Sequence, residues 1–81
     1  MRVRLLAFAT AAERLGSREL ELELPEGLSV MQFKDLLRER FPALAPLLGS
    51  LAIAVDGVLI APESPIPQGR EIALLPPVSG G

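Results

Sequence analysis

The chain is 81 residues long, enough for one domain around one core, and 49% of it is hydrophobic, chiefly Leu, Val, Ile and Ala. It has no Cys and no His, which removes disulfides, thiolate metal sites, a nucleophilic thiol and the commonest general base. A net charge of −2 and 4% aromatic residues argue against nucleic-acid binding, while no apolar run reaches bilayer length or follows a signal-peptide layout. The expectation is a cytoplasmic domain, poorly equipped to be an enzyme alone, that binds no metal or cofactor and partners neither nucleic acid nor membrane.

In Arg2-Val3-Arg4-Leu5-Leu6-Ala7-Phe8 the residues Val3, Leu5 and Ala7 share one face of a strand. Arg2 and Arg4 mark the other face as solvent-directed, yet it goes on to carry Leu6 and Phe8. Apolar residues there are either covered by another layer or form a docking patch. Thr10-Ala11-Ala12-Glu13 fits a capping box, and Gly16 supplies a stop, so one short helical turn is expected. Leu20-Glu21-Leu22-Glu23-Leu24 alternates strictly, placing leucines inward and Glu19, Glu21 and Glu23 in water, where they also guard an edge strand.

Ser29-Val30-Met31-Gln32 is a second capping signature and opens the main helix. Val30, Phe33, Leu37 and Phe41, with Leu36 beside them, form its core-facing stripe, and Pro42 marks the stop. The stretch 42–50 reads as a connection with room for a 3₁₀ turn. Leu51-Ala52-Ile53-Ala54-Val55 is the next strand, its two alanines outward, and Asp56-Gly57 turns it into Val58-Leu59-Ile60. A proline-rich loop, 61–67, and a turn at Gln68-Gly69 lead to a last strand, Glu71-Ile72-Ala73-Leu74-Leu75. By parity, Ala73 and Leu75 share the outward face with Leu6 and Phe8.

This order predicts an α+β fold of the β-grasp, ubiquitin-like type: a mixed sheet of four to five strands with one main helix on one face. The first two strands form a hairpin, and a right-handed crossover brings the last strand parallel to the first, in the centre of the sheet. Residues 1–75 make the domain and 76–81 an extended tail.

In the tail, Pro76 and Pro77 cannot donate to a ladder, and Val78-Ser79 continue the extension into Gly80-Gly81. A terminal carboxylate attacked by an enzyme must be threaded into a pocket, and Gly-Gly is the narrowest thread. Two terminal glycines arise by chance in roughly 0.5% of chains; behind a strand and a Pro-Pro stop the pair is more telling. Gly81 is therefore the expected acyl-bearing group, with Pro76, Pro77, Val78, Ser79 and Gly80 as the segment that inserts.

With that ending in view, the chain resembles the MoaD family, the ubiquitin-like sulfur carriers that serve as small subunits of molybdopterin synthase. The resemblance runs along nearly the whole length. It is most specific at Leu75-Pro76-Pro77-Val78-Ser79-Gly80-Gly81, and Leu6 to Gly16 and Ile53-Ala54-Val55-Asp56-Gly57 support it. Gln68-Gly69-Arg70-Glu71 departs from the family's usual Asp-Gly-Asp-Glu. The resemblance implies that an E1-like partner adenylates the Gly81 carboxylate with ATP. Sulfur from a persulfide donor then displaces AMP to leave a thiocarboxylate. The loaded tail enters the large synthase subunit and gives sulfur to a cyclic pyranopterin precursor in molybdenum cofactor biosynthesis. The chain itself would be a non-catalytic subunit that docks through Leu6, Phe8, Ala73 and Leu75. The other readings are a thiamin-pathway-type sulfur carrier, a ubiquitin-like modifier conjugated through Gly81, and a plain interaction module with an inert tail.

Overall fold

A computed structural model describes residues 1–76. The elements follow as β1 (Arg2–Ala7), α1 (Ala9–Leu15), β2 (Glu19–Glu23), α2 (Val30–Arg40), a 3₁₀ turn (Pro42–Leu44), α3 (Ala45–Leu48), β3 (Ala52–Val55), β4 (Val58–Ile60) and β5 (Glu71–Leu75). They build one five-stranded sheet in the order β2-β1-β5-β3-β4. β1 pairs antiparallel with β2 and parallel with β5, and β3 lies antiparallel to both β5 and β4. This is the mixed-sheet β-grasp layout expected from the element order, with the last strand at its centre.

The alternation in the strands puts Val3, Leu5, Ala7, Leu22, Ile53, Val55, Ile72 and Leu74 into the core. Val30, Phe33 and Leu37 meet them from α2, and Leu44 and Leu48 close the core from the 3₁₀ turn and α3. Phe33, Leu37, Leu44 and Leu48 are 0% exposed, so truncating any one of them to Ala costs about 2–5 kcal/mol. Among the described residues no polar or charged side chain is buried.

The start of α2 is tied down twice. The Ser29 hydroxyl accepts from the Gln32 N–H at 3.1 Å, and the Gln32 side-chain oxygen accepts from the Ser29 N–H at 2.9 Å, completing the expected capping box. The next free donors, the N–H groups of Val30 and Met31, reach the carbonyls of Ser64 and Pro62 at 3.1 and 3.2 Å. The loop 61–67 thus caps the helix as well as connecting strands. It is anchored by Ile66, which is buried and donates its N–H to the Leu28 carbonyl at 2.7 Å.

Three local expectations are corrected. Thr10 is no cap: α1 starts at Ala9, its N-cap residue Phe8 makes no side-chain cap, and the helix runs seven residues rather than one turn. The chain enters α1 through Ala9 at φ 52°, which places Thr10 already within the first turn. The stretch 42–50 holds a short helix, α3, beyond its 3₁₀ turn. Ala54 lies on the outer face by register but is only 5% exposed, its methyl set between Ala73 and Leu59 on the adjacent strands.

Candidate functional site

The parallel register of β1 and β5 sets Leu6 opposite Ala73 and Ala7 opposite Leu74. Phe8 keeps an extended backbone (φ −131°, ψ 151°), so it continues the parity of β1 and falls beside Leu75. The four residues Leu6, Phe8, Ala73 and Leu75 are thereby brought together on the sheet face away from α2. Phe8 is 46% exposed, and Leu6, Ala73 and Leu75 are half-buried.

The same registers extend the patch beyond what the sequence reading assigned. Ala54 pairs with Ala73 on one side and with Leu59 on the other. The row Leu6–Ala73–Ala54–Leu59 therefore crosses four strands, and Leu59 is 66% exposed at its end. A second row, Phe8–Leu75–Ala52, lies nearer the end of β5. The signal for Leu59 was present in the two-residue Asp56-Gly57 turn, which fixes Val55 opposite Val58 and hence Ala54 opposite Leu59.

The other end of this face is polar. Arg2 reaches Glu21 at 2.8 Å and Arg4 reaches Glu71 at 3.4 Å. The hydrogen bond and charge of Glu21 raise the Arg2 pKa above its usual value. A surface depression of about 530 Å³ lies here, lined by Arg2, Arg4, Glu21, Asp56, Arg70 and Glu71. Its arginines and carboxylates balance one another in number, so it has no net charge with which to draw an ionic ligand. Asp56 is spent on structure: its carboxylate accepts from the N–H groups of Arg70 and Glu71 at 3.1 and 2.9 Å. The face is thus charged where β5 begins and apolar where β5 ends.

β5 ends at Leu75, and Pro76 follows it, exposed and outside the ladder. Pro77, Val78, Ser79, Gly80 and Gly81, to which the sequence reading assigned insertion and acyl transfer, lie outside the described residues. Among the described residues no cluster of three or more His, Cys, Asp or Glu side chains is placed to hold a metal ion. Among the same residues no helix is long and apolar enough to cross a membrane. Among the described residues, the feature available to a partner is therefore an apolar half-face beside the end of the central strand.

Residues 5–81 match the model of the ThiS family. The molybdopterin synthase sulfur carrier subunit of Homo sapiens is 33% identical over 82 residues, covering 98% of this chain and 93% of the human one. The structure superposes on SAMP1 from Haloferax volcanii with a TM-score of 0.78 at 28% identity, covering all of both chains. It also matches a chain in the complex of subunits 1 and 2 of molybdopterin-converting factor from Helicobacter pylori 26695, with a TM-score of 0.68, 28% identity and full coverage of both chains.

Proposed function

The chain belongs to the ThiS family, and from that premise we propose that it is the sulfur-carrier subunit of a molybdopterin synthase. The observation that carries the proposal is one of placement. The apolar half of the outer sheet face lies at the end of β5, the strand whose continuation terminates in Gly80-Gly81. The docking surface lies beside the end of β5, so a partner that seats the face also sets the point from which the residues after Leu75 continue.

In the proposed cycle an E1-like partner joins the Gly81 carboxylate to the α-phosphate of ATP, releasing pyrophosphate. A carboxylate is a poor acyl donor, and adenylation supplies the leaving group. Sulfur from a persulfide donor attacks the acyl carbon and AMP departs, leaving an acyl disulfide. A second thiol of the donor system then cleaves its S–S bond, forming a disulfide with the donor sulfur and releasing the thiocarboxylate. Within the large subunit that sulfur passes to a cyclic pyranopterin precursor. This chain contributes delivery and alignment, and its partners contribute the catalytic groups. A large-subunit partner is supported by the two-subunit Helicobacter pylori complex.

Leu6, Phe8, Ala73 and Leu75 form the centre of the docking face, and Leu59 extends it to the sheet edge. Burying each large apolar side chain against a partner contributes about 1.5–3 kcal/mol by area. The test is intact mass after incubation with the adenylating enzyme, ATP and a persulfide donor: the reading predicts one oxygen replaced by sulfur at Gly81.

The likeness to SAMP1, a small archaeal modifier protein by name in its Methanosarcina acetivorans counterpart, favours a second reading, conjugation of Gly81 to a lysine of a target protein. The same experiment separates them, since conjugation leaves an amide and no thioacid.

A further inference from the structure

Seven of the eight basic side chains are arginines, and Lys34 is the one lysine. Its ammonium donates to the Leu51 carbonyl at 2.7 Å, and the half-buried Lys34 helps line a surface groove with Val30, Leu51, Ile53 and Ile60. Leu51 directly precedes Ala52, which pairs with Leu75, the last residue of β5. The only lysine amine is thus fastened at the end of the sheet from which the tail departs. A six-residue tail, 76–81, spans at most about 20 Å when extended, so amines at this end lie within its radius.

We propose that the fold withholds Lys34 from the chain's own activated terminus, so that the acyl group on Gly81 is left for an external sulfur nucleophile. The inference rests on the reading of Gly81 as an adenylated acyl carrier. In the reaction avoided, a neutral lysine nitrogen attacks the acyl carbon. An N–C bond forms, the bond from carbon to the phosphate oxygen breaks, AMP leaves and the amine loses a proton. The product is a cyclised or cross-linked chain, lighter by one water per amide formed and lost to sulfur transfer.

Arginine cannot substitute in that reaction because its guanidinium stays protonated. Burial lowers the Lys34 pKa from the ordinary 10.5, which by itself favours the nucleophilic amine. The protection is therefore positional, through the carbonyl bond and the groove.

Two measurements test this. In the first, the folded Arg18→Lys variant is acetylated with limiting N-hydroxysuccinimidyl acetate and the sites are mapped by peptide mass. Arg18 is exposed and sits at the same end of the molecule, its carbonyl accepting from the Ala7 N–H at 2.8 Å. Lys34 should react about tenfold or more slowly than the amine at position 18, the scale of one retained hydrogen bond. Equal rates overturn the proposal, and this result does not depend on any role of Gly81.

In the second, native and Arg18→Lys chains are incubated with the adenylating enzyme and ATP without a sulfur donor. The native chain should form no amide between Gly81 and Lys34, whereas the variant should accumulate one between Gly81 and position 18. An amide at Lys34 in the native chain overturns the proposal, as does an adenylated variant that forms none. Failure of both chains to become adenylated overturns the carrier reading itself, and with it this consequence, whatever the acetylation shows.

Discussion

The Asp56 carboxylate accepts a hydrogen bond from the backbone N–H of Glu71 at 2.9 Å, joining the β3–β4 turn to the first residue of β5. The Glu71 carbonyl in return accepts from the Asp56 N–H at 2.9 Å. Asp56 adopts φ 47° and Gly57 φ 85°, so the turn needs residues that tolerate the left-handed region. One residue thus shapes the turn and starts the strand whose far end bears the tail. Asp56→Ala should cost about 2–3 kcal/mol, combining lost hydrogen bonds with a strained backbone. In a domain of this size that lowers the Tm by roughly 10 °C or more. Asp56→Asn, which keeps an acceptor and tolerates the turn, should cost less than half as much in the same thermal melts.

A second stability test lies at Gly69. A Cβ there would stand 2.6 Å from Val55 Cγ1 and 2.8 Å from an Asp56 carboxylate oxygen. Val55 is buried and Asp56 is held by its backbone partners, so neither yields easily. Gly69→Ala should destabilise by about 1–3 kcal/mol, the range for forced overpacking. Gly49 is the control: its Cβ would meet nothing within 4 Å and its φ is −63°. Gly49→Ala should be neutral or stabilising by up to about 1 kcal/mol. Denaturant midpoints of the two variants check the contrast.

The fold was legible where one residue pattern has one physical outcome. The Leu20–Leu24 alternation, the Ser29/Gln32 capping box and the Asp56-Gly57 turn each name an element and its orientation. That Leu6 and Phe8 share the outward face with Ala73 and Leu75 followed from parity once a crossover made β1 and β5 parallel. The register that sets Leu6 opposite Ala73 is read only from the structure. Leu59 was missed because Val58-Leu59-Ile60 is apolar throughout and shows no alternation to mark its outward member. The bonds from Asp56 to Arg70 and Glu71, the crowding at Gly69 and the capping of α2 by Pro62 and Ser64 join residues far apart in sequence. No local pattern announces them. At Thr10 the local capping signal lost to the path of the chain leaving β1.

The proposed docking face makes the third prediction. Phe8→Arg and Leu59→Arg should each weaken binding to the large subunit by roughly 10- to 100-fold, since each removes about 1.5–3 kcal/mol of apolar burial. Both side chains are substantially exposed, so the Tm should move by no more than a few degrees. Titration calorimetry alongside thermal melts reads both quantities. Unfolding of either variant would mean that its side chain supports the core.

The acidic edge should be dispensable. Glu19, Glu21 and Glu23 are exposed on β2, and the ion pair between Glu21 and Arg2 is exposed as well. Such pairs contribute about 0–1 kcal/mol. Converting all three to Gln should leave sulfur transfer within about twofold of the native rate. A large loss with an intact fold would show that a partner reads this edge.

The central claim is that Gly81 carries the acyl group, and deleting Gly81 tests it most directly. Deletion retracts the tip by roughly 3.3–3.6 Å of extended chain. A misplacement of about 1 Å already costs on the order of a hundredfold when reacting atoms must be aligned. The measurement is intact mass after incubation with the adenylating enzyme, ATP and a persulfide donor, coupled to conversion of the pyranopterin precursor by the assembled synthase. The full chain should gain the mass of sulfur in place of oxygen and support conversion, while the shortened chain stays folded, binds the large subunit and does neither. Normal loading and conversion by the shortened chain would contradict the account.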